Sequence, residues 1–193
     1  NYFESKDSDV GVVTCRVELE NGRLDSDCKR SFPNPWNSFT HFTKLSKIFP
    51  KTKLFDSYYL GYLNTDSDQE IDSCVGAFMM IRREVIKKVG MFDEEFFFYG
   101  EDLDLCFRIK KAGYKIIYTP VTKIIHYKGA ASGIKKHSVH LAKSTKESKI
   151  NSLKESTRAM KIFYRKHQSN NYPLIFNMLV YFSIGIIDRL RLF

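Results

Sequence analysis

No Cys-x-x-Cys pair occurs among the four cysteines, Cys15, Cys28, Cys74 and Cys106. Structural zinc sites and disulfide frameworks rest on such spacings, and Cys74 and Cys106 sit among apolar residues, so a reducing, cytosolic compartment fits best. An opening methionine and a charged-then-apolar leader are also missing. The first residue is Asn1, and the chain is read as starting inside a longer protein or at a processed end. No apolar run reaches the roughly 20 residues that a spanning helix needs. The nearest approach is residues 173–187, interrupted by Asn177 and Ser183. No Walker loop, G-x-G-x-x-G turn or G-x-S-x-G elbow is present, which removes three common catalytic readings. His41, His137, His140 and His167 have no ligand spacing with cysteine or carboxylate. Internal repeats and low-complexity tracts are absent too.

Acidic residues are scarce in one part of the chain. The net charge of +9 divides into −2 for residues 1–120 and +11 for residues 121–193. A basic block of this kind favours anionic lipid, a diphosphate or nucleic acid, although a solvated lysine-rich helix face has the same composition. It lacks aromatic interleaving suited to stacking bases, so no nucleic-acid partner is expected.

What is present reads as an α/β domain. With 193 residues, 43% of them hydrophobic, the chain has enough material for one sizeable core. Residues 10–17 are a β-branched run, a buried strand, and Asn21-Gly22 after it signals a reversal. Residues 28–70 hold Pro33, Pro35, Trp36, Pro50 and Tyr58-Tyr59, and are expected to form a long aromatic excursion that acts as a lid or binding surface. Residues 74–81 read as a strand with one glycine, and 82–89 as a short helix stopped by Gly90. A helix over 101–112 is stopped by Gly113, and two short strands flank Pro120. From 138 to 167 the chain is helix-permissive and lysine-rich. The apolar stretch after it, flanked by Lys161, Arg165, Lys166, Arg189 and Arg191, reads as an interfacial segment, the start of a longer membrane region or a buried terminal helix. The expected division is 1–134 and 135–193.

Three carboxylates crowd into Glu101-Asp102-Leu103-Asp104. At a helix start they meet free N–H groups and the positive end of the helix dipole, and adjacent carboxylates can divide base and orienting roles. The same pattern serves as ordinary capping material. Asp104 and Arg108 stand at i,i+4, suited to an ion pair that locks the first turn. His126 ends a strand before the small-residue loop 129–133. It could ligate a metal or touch a phosphate, with Lys128 adding charge, or it could be a plain surface histidine.

Taken in order, Val75-Gly-Ala-Phe-Met-Met-Ile-Arg-Arg-Glu84, residues 89–108, Lys111-Ala-Gly-Tyr114 and residues 126–132 resemble family 2 glycosyltransferases, closest to the bacterial rhamnosyltransferase-like branch. The resemblance covers roughly residues 8–168. It implies the acceptor-side portion of a GT-A-like mixed sheet flanked by helices, with a basic helical region and an apolar tail. It also implies inverting transfer of a sugar, rhamnose being one candidate, from a nucleotide-sugar donor to a lipid-linked or polysaccharide acceptor. In that reading Asp102 is the general base and Glu101 shapes its surroundings. His126 completes a Mg²⁺ or Mn²⁺ site on the donor diphosphate, and Gly76 and Ala77 admit the substrate closely. Such proteins carry a nucleotide-binding half with an Asp-x-Asp motif, expected before Asn1. Asp7-Ser8-Asp9 and Asp66-Ser67-Asp68 share its spelling but follow no buried strand. Tyr127-Lys128 stands where a second histidine and a glycine are usual. The basic block and apolar tail would hold the protein at the inner face of the cell membrane, where such acceptors lie. The alternative is a non-catalytic module that binds anionic membrane or a partner subunit.

Overall fold

The computed structural model describes residues 2–128 and 145–192. The loop 129–133, the expected division at 134/135, His137 and His140 lie outside them. The chain forms two compact units: residues 1–92 with 102–126, and residues 93–101 with 127–193.

The first unit is built on a four-stranded mixed sheet ordered β2-β4-β1-β3, with β1 Val10–Leu19, β2 Gln69–Ile71, β3 Met80–Ile81 and β4 Lys115–His126. The expected α/β class with a mixed sheet holds. Strands β1 and β4 pair in parallel, while β2 and β3 run antiparallel to β4 and β1. The β1 run is apolar at nearly every position because this parallel pair is covered on both faces. Val12 and Val17 are completely buried, as are Ile116 and Tyr118 of β4.

Where two short strands around Pro120 were expected, β4 is continuous. Its register against β1 jumps between Thr119, opposite Cys15, and Lys123, opposite Arg16. Pro120 has no N–H to give the ladder, so residues 120–122 leave it as a bulge and pairing resumes beyond them. A second correction concerns residues 74–81. Only Met80–Ile81 pairs as a strand, and Gly76-Ala77 forms an exposed turn ahead of it.

Four helices complete this unit: α1 Pro35–Phe42, α2 Leu45–Ile48, α3 Arg83–Val89 and α4 Glu101–Lys111, the last entering it at Asp102. Asn34 caps α1 by accepting the Asn37 N–H, while the Asn37 side chain returns a bond to the Asn34 N–H. Pro35, in the first turn, needs no N–H there. The excursion 28–70 is therefore partly helical rather than irregular throughout. Both expected glycine stops adopt left-handed backbone, Gly90 at φ 83° and Gly113 at φ 92°. Leu105 and Ile109, one turn apart on α4, enter the core with Ile71 and Val85. Each such side chain contributes about 1.5–3 kcal/mol on leaving water, which holds the first turn of α4 in place.

The second unit centres on two helices, α5 Lys146–His167 and α6 Leu174–Leu192. Thr145 caps α5 by accepting the Ser148 N–H. The Tyr164 hydroxyl donates to Asn177 Oδ1 at 2.6 Å, and the Asn177 amide donates to the Ser169 and Tyr172 carbonyls. The polar break in the apolar stretch is thus a fully used anchor between the helices. Lys166 and Arg165 pair with Asp93 and Glu95. Among the described residues, no helix is long and apolar enough to cross a membrane.

Candidate active site

The β1 strand turns at Gly22 and drops into a short 3-10 turn, Ser26–Cys28, capped by Asp25. Arg30 follows and pairs through its backbone with Ser73, N–H to O in both directions at 2.8 and 2.9 Å. That bridge brings the Cys74–Gly76 stretch beside the first turn of α4, where Asp102 lies 9% exposed. Three segments distant in sequence therefore meet at one carboxylate.

Asp102 Oδ2 accepts the Gly76 N–H at 3.0 Å and Arg30 Nη2 at 3.0 Å, and Oδ1 accepts the Leu103 N–H at 2.7 Å. Arg30 Nη2 also reaches the Cys74 carbonyl at 3.1 Å, and Nη1 lies 3.8 Å from Asp27. Burial disfavours the Arg30 charge. Asp102, with Tyr58 and Asp27 adding to it, outweighs that and raises the guanidinium well above its ordinary range. An ionised carboxylate has about four lone-pair sites. The three donors leave Oδ1 with one to offer, while Oδ2 is the oxygen that meets the exposed Gly76-Ala77 turn. A Cβ added to Gly76 would stand 3.7 Å from the Asp102 Cβ, an ordinary contact, so the glycine contributes its N–H and an uncluttered surface.

Beneath this carboxylate lie Cys74 and Cys106, both completely buried. A hydrogen bond with Cys106, and then burial, push the Cys74 thiol well above its usual range. Cys74 is therefore held as an uncharged thiol.

His126 closes β4 and pairs in register with Leu19 of β1. Its Nδ1 lies 2.9 Å from Oδ2 of Asp25, which is 1% exposed. A carboxylate only accepts, so Nδ1 donates; in the neutral ring Nε2 then carries the lone pair, the arrangement that metal-bound histidines use. A divalent cation needs more than one such donor. Among the described residues no cluster of three His, Cys, Asp or Glu could hold one. Among the described residues, His126 and Asp25 match the Mg²⁺ or Mn²⁺ expectation in kind but not in number.

The other candidates are placed as follows. Asp104, 1% exposed, pairs with Arg108 Nε at 2.7 Å, as the i,i+4 spacing anticipated. Arg108 Nη1 and Nη2 donate to the Val89 and Met91 carbonyls, so this pair ties α4 to the end of α3. Glu101 opens α4 directly before Asp102, and Glu101 and Lys128 both fall in the second unit.

Sequence reasoning missed Asp25 and Arg30. The segment from Asp25 to Arg30 touches both His126 and Asp102. Asp25-Ser26-Asp27 also repeats the Asp-x-Asp spelling of the two triplets set aside. Those triplets lie in ion pairs at the surface: Asp9 with Lys115, Asp66 with Arg16 and Asp68 with Lys6. The available signal was a second carboxylate just after the Asn21-Gly22 turn.

Comparison with known proteins gives a consistent result. Residues 1–161 match the family described as glycosyltransferase like family 2. A rhamnosyltransferase of Escherichia coli K12, WbbL, is 43% identical over 61 residues, which is 32% of this chain and 23% of that protein. The N-acetylglucosaminyl-diphospho-decaprenol L-rhamnosyltransferase of Mycobacterium tuberculosis is 36% identical over 67 residues, 35% of this chain and 22% of that protein. An O-antigen biosynthesis protein of Myxococcus xanthus, RfbC, is 36% identical over 59 residues, 31% of this chain and 5% of that protein. The match spans less than a quarter of each relative's length. No solved structure matches.

Proposed function

The chain belongs to the glycosyltransferase family 2-like proteins, and from that premise we propose that it carries the acceptor side of an inverting sugar transferase with Asp102 as general base. The single observation that supports this most is the Asp102 carboxylate. It is held by Arg30 and the Gly76 N–H on Oδ2 and by the Leu103 N–H on Oδ1, with one lone pair of Oδ1 left unused.

A general base needs an ionised oxygen within hydrogen-bond reach of the hydroxyl it deprotonates. Arg30 would fix the orientation of the carboxylate. Oδ1 would take the proton as the acceptor oxygen attacks the anomeric carbon of a nucleotide-sugar donor. Gly76 and Ala77 would border the sugar or acceptor, Glu101, next to Asp102 in the chain, would shape the surroundings of the base, and Lys128 would add charge towards a diphosphate. The Asp104–Arg108 pair would act by fixing the first turn of α4. His126, oriented by Asp25, would hold one position of a Mg²⁺ or Mn²⁺ ion, which when bound neutralises charge on the diphosphate. The two rhamnosyltransferase relatives support rhamnose as the donor sugar, and the decaprenol-linked substrate in the name of the mycobacterial one supports a lipid-linked acceptor.

A second reading has its own observation. One face of α6, with Leu174, Ile175, Met178, Leu179 and Phe182, is exposed. It would bind an anionic membrane or a partner subunit, at the inner face of the cell membrane, whether or not the chain is catalytic. The test of the first reading is a transfer assay on the full-length protein with a panel of nucleotide sugars, followed by NMR of the product. Transfer with inversion at the anomeric carbon is expected. Retention of configuration would exclude Asp102 as the base of a single displacement.

A further inference from the structure

The excursion between β1 and β2 holds a surface to which the proposed transfer chemistry assigns no residue. From Cys28 to Phe55 there is no Asp or Glu. Within that span Trp36, Phe39, Ile48, Phe49 and Leu54 are 46–65% exposed. They form one patch rather than scattered residues. The Trp36 ring lies 5.9 Å from Phe39 and 6.2 Å from Phe55, Phe55 lies 4.9 Å from Phe49, and the indole N–H donates to the Leu54 carbonyl at 2.9 Å.

Lys44, Lys47, Lys51 and Lys53 are interleaved with these side chains. All four are exposed, and among the described residues none has an ion-pair partner. The nearest carboxylate in sequence, Asp56, accepts the Lys51 backbone N–H instead. Lys44 and Lys51 also hold left-handed backbone, φ 64° and 61°, where glycine or asparagine would fit with less strain.

We propose that this patch, Trp36 to Phe55, is a membrane-interface contact that inserts its apolar side chains among the acyl chains of an anionic bilayer while the four lysines meet headgroup phosphates. A protein partner fits less well, because interface cores are depleted in lysine. Lysines bordering tryptophan, phenylalanine and leucine are the composition of surfaces that lie in the headgroup region. Ile48 and Leu54, the most exposed members, are aliphatic and present no ring for a nucleic-acid base to stack on. The inference is independent of the transfer chemistry and of the α6 face.

Trp36 is the only tryptophan of the chain, so its emission reports on this patch alone. The experiment adds vesicles of phosphatidylcholine, with or without phosphatidylglycerol, to the 193-residue chain and follows emission and co-sedimentation. A blue shift and quenching by brominated acyl chains are expected with the anionic vesicles, weakening as ionic strength rises from about 0.05 to 0.5 M. Phe49→Ser with Leu54→Ser, and separately glutamine at the four lysines, should each lower binding about tenfold with circular dichroism unchanged. Wild-type affinity in both variants would give the contact to α6 and overturn the proposal. Equal binding to neutral and anionic vesicles would overturn it too. A Trp36 blue shift without lipid, with self-association in sedimentation velocity, would assign the patch to a second copy instead.

Discussion

Asp102 is committed before any substrate arrives, with Arg30 and Gly76 on one oxygen and its own helix on the other. Such a buried pair is costly to break from one side, by about 3–5 kcal/mol, because the remaining charge loses its partner. Arg30→Met is therefore expected to lower the melting temperature and to abolish transfer. Arg30→Lys keeps a charge but cannot reproduce the reach from the Cys74 carbonyl to Asp102. It should fold, with kcat reduced and the donor KM little changed, measured by initial rates. A fall in donor affinity alone would instead place Arg30 in donor binding.

Cys28, also on the Asp25–Arg30 segment, gives a pH prediction. Burial raises its thiol from 9.0 to about 11. A raised acid stabilises the fold fully below its unfolded value and loses that contribution as pH climbs through the folded one. About 2–3 kcal/mol should thus disappear between pH 9 and 11. Tyr118, raised from 10.0 to about 12 by burial, adds to the loss from pH 10. Thermal melts over this range should fall steeply for the wild type and less steeply for Cys28→Ala.

Among the elements, α4 does most to assemble the site, and its place depends on the Asp104–Arg108 pair. Arg108 joins Asp104 of its own helix to the carbonyls that end α3. Arg108→Met should cost roughly 2–4 kcal/mol in denaturant unfolding, since a nearly buried carboxylate loses its counter-charge. Arg108→Lys should recover part of it.

The elements legible in the sequence were those defined by local patterns. The apolar run of β1, the glycine stops at Gly90 and Gly113 and the i,i+4 pair all came out as read. What was not legible depends on contacts far apart in the chain. The Arg30–Asp102 bond joins residues 72 apart, and His126 meets Asp25 across 101 positions. Nothing local marks Arg30 off from the Lys29 beside it. The continuity of β4 past Pro120 likewise comes from β1, which offers a partner on both sides of the bulge and overrides the proline.

At the scale of the whole molecule, charge and chemistry occupy different parts of the chain. Residues 121–193 carry the net +11, while the proposed base lies in a segment that is net negative. The proposed acceptor side therefore sits in the unit with the sheet, and the basic excess lies mostly on the helices of the second unit. If that excess serves membrane attachment, raising the salt should release the protein from anionic vesicles while leaving transfer to a water-soluble acceptor nearly unchanged.

The proposed base is tested most directly by one rate. In the full-length protein, Asp102→Asn preserves the shape of the side chain but removes the basic oxygen. Turnover at saturating donor and acceptor should fall by about 10²–10⁴-fold with the circular dichroism spectrum unchanged. Undiminished turnover in that variant would contradict the assignment of Asp102 as the base.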